Sequence, residues 1–189
     1  GILMAYWSGK KTGEAIADVL FGDYNPSGRL PFSYPKSMGE IVLYDRKGTE
    51  DVREVFNDNV ASGYDPLFAF GHGLSYTTFE YGDPKLSTTA LKGNAKLTVT
   101  VDVKNTGTRD GKHTVELYTH DLYASITPSA KRLRAFQKID LKAGESKTVT
   151  FTIDENDLAF VNSKLSTVTE PGDFEIIIGE KKAKFAYTQ

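Results

Sequence analysis

The chain has no cysteine, which excludes disulfides, zinc-thiolate sites and thiol catalysis. That absence leaves the compartment open, because a protein can be exported without disulfides. Neither sign of charge is in excess: 23 basic and 25 acidic side chains leave a formal net charge of -2. Such a balance describes an ordinary polar surface, so no nucleic-acid partner is expected. Any apolar run long enough to cross a bilayer is also missing, and no membrane partner is expected. Residues 1–9 lack a basic stretch and do not read as a signal peptide. Neither an internal repeat nor a low-complexity tract is present.

What is there begins with Ile2, Leu3, Met4 and Ala5, an apolar run that predicts a buried strand. Its sheet is expected to come from upstream sequence or from another chain, since the residues that follow cannot supply parallel neighbours. Residues 11–21 have helical spacing, with Ala15, Ile16, Val19 and Leu20 on one face, Thr12 as the N-cap and Gly22 just past the end. A turn at 25–28 leads into 29–35, which alternates like a strand. Pro31 and Pro35 confine it to an edge or an irregular path. Strand, helix and strand make one α/β unit too small to fold alone. Residues 36–70 are rich in charge and turn formers and predict a long connection. The aromatics and glycines of 66–76 predict a tight, buried passage between domains.

From Thr77 onward the period is two. Leu97, Val99, Val101 and Val103 share one face, as do Val115 with Leu117, Val149 with Phe151 and Ile153, and Phe174 with Ile176 and Ile178. Turn signals stand at Asn105-Thr106-Gly107, Ala143-Gly144 and Pro171-Gly172. This spacing predicts a β-sandwich.

Convergent carboxylates would be the mark of a hydrolytic or metal site. Glu14 with Asp18, and the cluster Glu50, Asp51, Glu54 and Asp58, have no partner that would separate their pKa values, and they read as solvated faces. His72, His113 and His120 stand in no metal-ligand spacing, so no metal and no cofactor is expected. Gly71-His72-Gly73 lacks the serine elbow that would make it an oxyanion hole, so His72 reads as a packed histidine at a joint. Ser8 likewise has no elbow around it. Gly9-x-x-x-Gly13 lacks the lysine of a phosphate loop. Lys131, Arg132 and Arg134 read as the charged guard of an edge strand. Tyr6, Trp7 and Tyr24 could stack on a sugar ring, but aromatics at a strand end are more often core.

Two blocks carry a resemblance. Trp7-Ser8-Gly9 through Asp23-Tyr24-Asn25-Pro26-Ser27-Gly28-Arg29-Leu30-Pro31 resembles the closing segment of the α/β sandwich domain of family 3 glycoside hydrolases. Pro66-Leu67-Phe68-Ala69-Phe70-Gly71-His72-Gly73-Leu74-Ser75-Tyr76-Thr77-Thr78-Phe79 resembles the same family's entry into its fibronectin type III-like domain. Val103-Lys104-Asn105-Thr106-Gly107, residues 133–138 and Glu170-Pro171-Gly172-Asp173-Phe174 also match that domain.

The resemblance implies a mainly β chain: a fibronectin type III-like, immunoglobulin-like β-sandwich at 77–189, preceded by a short α/β fragment at 1–36 and an extended loop at 37–76. It implies the C-terminal structural portion of a retaining, exo-acting β-glucosidase, whose two carboxylates stand about 5–5.5 Å apart. In the family both lie upstream of the segment present here, so no catalytic residue is assigned. The expected partners are the upstream barrel and α/β domains of the same enzyme and a β-glucoside or β-gluco-oligosaccharide, and a homodimer of the whole enzyme is admitted. A periplasmic or secreted location follows by analogy. The connection from Ile41 to Asp65, which carries Tyr44-Asp45-Arg46-Lys47-Gly48-Thr49-Glu50, is longer than in the simplest family members, and Arg46, Lys47 and Glu50 are candidates to touch a leaving-group sugar. The bland alternative is a solvated brace between domains. Two other classes stay open: a freestanding β-sandwich binding or adhesion module, and a small hydrolase with its own site.

Overall fold

The computed structural model describes residues 1–7, 9–39, 42–48, 54–56, 60–62 and 64–189. In chain order the elements are helix α1 (Thr12–Phe21), a hairpin of β1 (Glu54–Phe56) and β2 (Val60–Ser62), and strands β3 (Phe79–Tyr81), β4 (Lys85–Leu86), β5 (Ala90–Lys92), β6 (Leu97–Asn105), β7 (Gly111–Asp121), β8 (Arg132–Leu141) and β9 (Ser146–Ile153). After them come the short helix α2 (Glu155–Leu158), β10 (Phe160–Val161), β11 (Thr167–Val168), β12 (Gly172–Ile178) and β13 (Lys181–Thr188).

One sheet is centred on β6. It pairs antiparallel with β9, from Leu97 opposite Ile153 to Lys104 opposite Ser146, and its other edge takes β3 and then β4. The second sheet runs β5-β13-β12-β7-β8, antiparallel except for the parallel β13–β5 pair. Period-two alternation sends Val99, Val101, Val103, Val149, Phe151 and Ile153 of the first sheet inward. They meet Val115, Leu117, Phe174, Ile176 and Ile178 of the second in one core. These side chains are at most 6% exposed, and each full burial contributes about 1.5–3 kcal/mol. The expected sandwich is therefore present.

Several expectations for the first 76 residues need correction. Ile2 to Ala5 forms no strand, and Ile2 is 81% exposed, because no strand among the described residues offers them a ladder. Thr12 does not cap α1: the helix already includes it, Lys11 holds the cap position, and the Thr12 hydroxyl reaches back to donate to the Gly9 carbonyl. Gly22 ends the helix as expected, at φ 88°, where its lack of a Cβ removes the left-handed penalty. No residue of α1 is fully buried, and Ala15 and Leu20 of the predicted apolar face are exposed. As expected of a segment holding Pro31 and Pro35, residues 29–35 take an irregular path against 67–72, through Leu30 N to His72 O (2.9 Å), Gly71 N to Leu30 O (2.8 Å) and Tyr34 N to Phe68 O (2.7 Å). The connection at 36–70 is interrupted by the β1–β2 hairpin. The passage at 66–76 is not buried: Leu67, His72, Leu74 and Tyr76 are exposed.

Candidate functional site

Residues 42–48 lie along the outer face of the five-stranded sheet. Tyr44 stacks on Phe70 at 4.4 Å between ring centroids and meets Tyr118 of β7 edge-on at 6.5 Å. Tyr118 is thereby buried although it points away from the core. Its hydroxyl donates to Glu116 Oε2 at 2.6 Å, and Lys131 Nζ lies 4.4 Å from its ring centroid. Burial, and then the hydrogen bond to the Glu116 carboxylate, pushes the Tyr118 hydroxyl well above the usual phenol range. The Arg46 guanidinium sits 3.6 Å over the ring of Tyr64. The main chain of this segment pairs with the β7–β8 connection, through Ala130 N to Arg46 O (2.7 Å) and an antiparallel bridge between Lys47 and Ser129. Two of the three candidate sugar-contact residues, Arg46 and Lys47, are thus held by the sandwich domain itself. Glu50 lies outside the described residues, as do Asp51 and Asp58.

Lys47 also borders a cavity of about 230 Å³ between the β7–β8 connection and the α2–β10 segment. Its floor is Phe174 and Leu158, and Thr119, Asp121, Arg132 and Arg134 stand in its wall. The arginines reach it because of a β-bulge. Leu117 faces Ala135 and Tyr118 faces Leu133, so Arg134 is an extra residue that resets the alternation of β8. Arg134 Nε then donates to Thr119 Oγ1 at 3.0 Å. Burial and the neighbouring Arg132 charge lower the Arg134 pKa, while burial raises that of Asp121. The expected guard of an edge strand is half right: β8 is an edge of the sheet, but Arg132 and Arg134 turn toward this cavity. A bulge leaves no mark in an alternation count, so the sequence pattern did not disclose this grouping, and Asp121 was missed altogether.

The second convergence is the joint between the α/β segment and the sandwich. Asn25 Nδ2 donates to Asp110 O at 2.8 Å while its Oδ1 accepts from Ser75 Oγ and Tyr76 N. Tyr76 donates its hydroxyl to Val19 O at 2.6 Å, and Arg109 donates to Gly22 O. Arg29 reaches Gly73 O and His113, whose ring stacks on Phe79 at 4.3 Å.

The remaining candidates do not converge. Glu14 pairs with Lys11, not with Asp18, and is largely exposed. His72 is exposed and stacks on Phe68, which corrects the packed-histidine expectation. His113 is buried at the joint, and His120 lies 3.6 Å from Glu175 on the outer sheet face. Among the described residues no group of three or more His, Cys, Asp or Glu could hold a metal ion. Tyr6, Trp7 and Tyr24 are not core, being 58%, 104% and 47% exposed.

Comparison with known proteins decides the family. Residues 1–76 match the glycosyl hydrolase family 3 C-terminal domain, and residues 113–182 match the fibronectin type III-like domain. The periplasmic beta-glucosidase of Salmonella typhimurium is 43% identical over 194 aligned positions, covering 97% of this chain and 25% of that protein. A beta-xylosidase of Formosa agariphila is also 43% identical, over 183 positions, covering 94% of this chain and 25% of that protein. The chain belongs to glycoside hydrolase family 3. It corresponds to a C-terminal region of these relatives and spans about a quarter of their length. Among solved structures, beta-glucosidase from Listeria innocua in complex with gluconolactone is similar at TM-score 0.82 and 33% identity, over 94% of this family 3 chain and 26% of that one. A β-glucosidase from Erythrobacter marinus gives TM-score 0.84 at 36% identity, over 94% and 24%.

Proposed function

We propose that this chain is the structural C-terminal portion of a retaining, exo-acting β-glucosidase that releases terminal β-D-glucosyl residues, its catalytic carboxylates lying upstream. The observation that carries this is a surface unsuited to water on the very segment that matches the family's C-terminal domain. Ile2, Trp7, Leu20 and Phe21 are 81%, 104%, 64% and 84% exposed. Apolar surface of that kind marks an interface, and its partners here are the upstream barrel and α/β domains. In this division residues 1–36 complete the α/β domain, 37–76 cross between domains, and 77–189 brace the assembly from the side. Arg46, Lys47 and Glu50 then touch the leaving-group sugar from the crossing segment. The whole enzyme acts in the periplasm or outside the cell, in keeping with the name of the Salmonella relative, and a homodimer is compatible with it. No helix among the described residues is long and apolar enough to cross a membrane.

A β-xylosidase is the second reading, favoured by a relative of equal identity. Turnover of aryl β-glucoside and aryl β-xyloside by the full-length protein and by this chain alone separates the possibilities. The glucoside is expected to be hydrolysed by the full-length protein and not by the chain. Preference for the xyloside would replace the sugar, and turnover by the chain alone would overturn the division of labour.

A further inference from the structure

We propose that the cavity beside the β7–β8 bulge binds one neutral pyranose ring. Its volume of about 230 Å³ lies below the roughly 300–1,000 Å³ of pockets for drug-sized ligands, and suits a single small polar molecule. What selects the ligand is the charge pattern of the wall. Lys47, Arg132 and Arg134 face the same space as Asp45 and Asp121. Among the described residues, Arg132, Arg134 and Asp121 close no ion pair. Arg134 spends one N–H on Thr119 Oγ1 and another, at 3.5 Å, on Ala159 O, and Asp121 accepts only the Tyr123 amide at 3.1 Å. Half-buried donors and acceptors of opposite charge that do not satisfy each other offer partners to a ligand carrying both functions.

A simple anion would leave the two aspartates unmatched and a simple cation the three bases. Adjacent sugar hydroxyls can accept from a guanidinium while donating to a carboxylate, so a neutral polyol meets both halves of the wall. Phe160 adds a half-buried aromatic ring on which the apolar C–H face of a pyranose can rest. The bulge has a role in this arrangement: without the extra residue Arg134 would point to the opposite face of the sheet.

The test uses the full-length enzyme, equilibrium dialysis with labelled glucose, and crystals soaked in glucose. Density for a ring is expected in the cavity, against Arg132 and Asp121. Arg132→Met and Asp121→Asn are each expected to weaken binding at that site about tenfold or more, with unlabelled glucose displacing label better than glucuronate or inorganic phosphate. If Arg132→Met does not fold, the isosteric Asp121→Asn carries the test by itself. An empty cavity at saturating glucose, variants that bind as the parent does, or preference for glucuronate or phosphate would each overturn the proposal. Because binding and not turnover is read, the outcome is independent of whether the enzyme hydrolyses glucosides.

Discussion

Arg29 Nη2 lies 3.2 Å from His113 Nδ1, joining the α/β segment to strand β7 across 84 residues of sequence. A guanidinium only donates, so Nδ1 must be the acceptor, and the ring proton of neutral His113 sits on Nε2. From there it is donated to the Tyr81 hydroxyl oxygen at 2.6 Å. The imidazole thus serves as a neutral coupler between a cation and a phenol. Burial, and then the Arg29 charge, holds its pKa down at about 4, while burial pushes Tyr81 up to about 12.

Acid should therefore loosen this joint. A histidine whose folded pKa lies below its unfolded value binds its proton preferentially in the unfolded state. Stability is then full above about pH 6.5 and is lost as the pH falls toward 4. Allowing for partial solvent screening, the loss is on the order of 2 kcal/mol. His113→Gln keeps an acceptor and a donor but does not titrate. Its melting temperature should fall less than that of the parent across this window, and parallel pH profiles would refute the coupler.

Asn105 is 0% exposed and uses its whole amide. Nδ2 donates to Arg109 O (2.7 Å) and Leu141 O (3.2 Å), and Oδ1 accepts from Thr77 Oγ1 (2.6 Å) and Gly107 N (3.1 Å). Replacement by alanine strands these partners in a dry site, at a cost of about 3 kcal/mol or more. A clear drop in the denaturation midpoint is expected, and a shift within scan error would contradict it.

Gly73 tolerates no side chain. A Cβ there would overlap the carbonyl oxygen of Gly28, which is backbone and cannot swing aside. Gly73→Ala should cost about 1–3 kcal/mol through the shift it forces. Increased proteolysis near residues 28–34 and 66–76 is the expected readout.

Replacing Arg46, Lys47 and Glu50 together by alanine in the full-length enzyme tests their proposed contact with the leaving-group sugar. KM for β-gluco-oligosaccharides should rise about tenfold, the worth of one charge-assisted hydrogen bond, with aryl glucosides little affected. Unchanged KM values would leave Arg46 and Lys47 as a brace against Tyr64 and Ser129 alone.

The parts legible beforehand were those where one side chain in two had to be apolar. Leu97, Val99, Val101 and Val103 announced β6 because nothing interrupts the alternation, and the turn signal Asn105-Thr106-Gly107 announced the strand end. Strand β13 is hidden by its lysines: Lys182 and Lys184 line its outer face and Lys181 opens it, although Phe185 and Tyr187 carry the inward period. The opening apolar run, expected to join a sheet supplied from elsewhere, forms no strand here, since no ladder partner stands among the described residues. The candidate loop was located by its length and charge, but its seat on Tyr118 and Ser129 was not visible in any local pattern.

The order of residues determined the sandwich and its inward faces, since alternation is a local property that the pleat of a strand converts directly into burial. It also determined family membership, through motifs long enough to be specific. Only the tertiary structure decided which distant groups meet: Arg29 with His113, Tyr44 with Tyr118, and the arginines of β8 with Asp121. Those encounters depend on strand order, on one inserted residue in a ladder and on the path of a loop, and none of these is encoded in the spacing of neighbours along the chain.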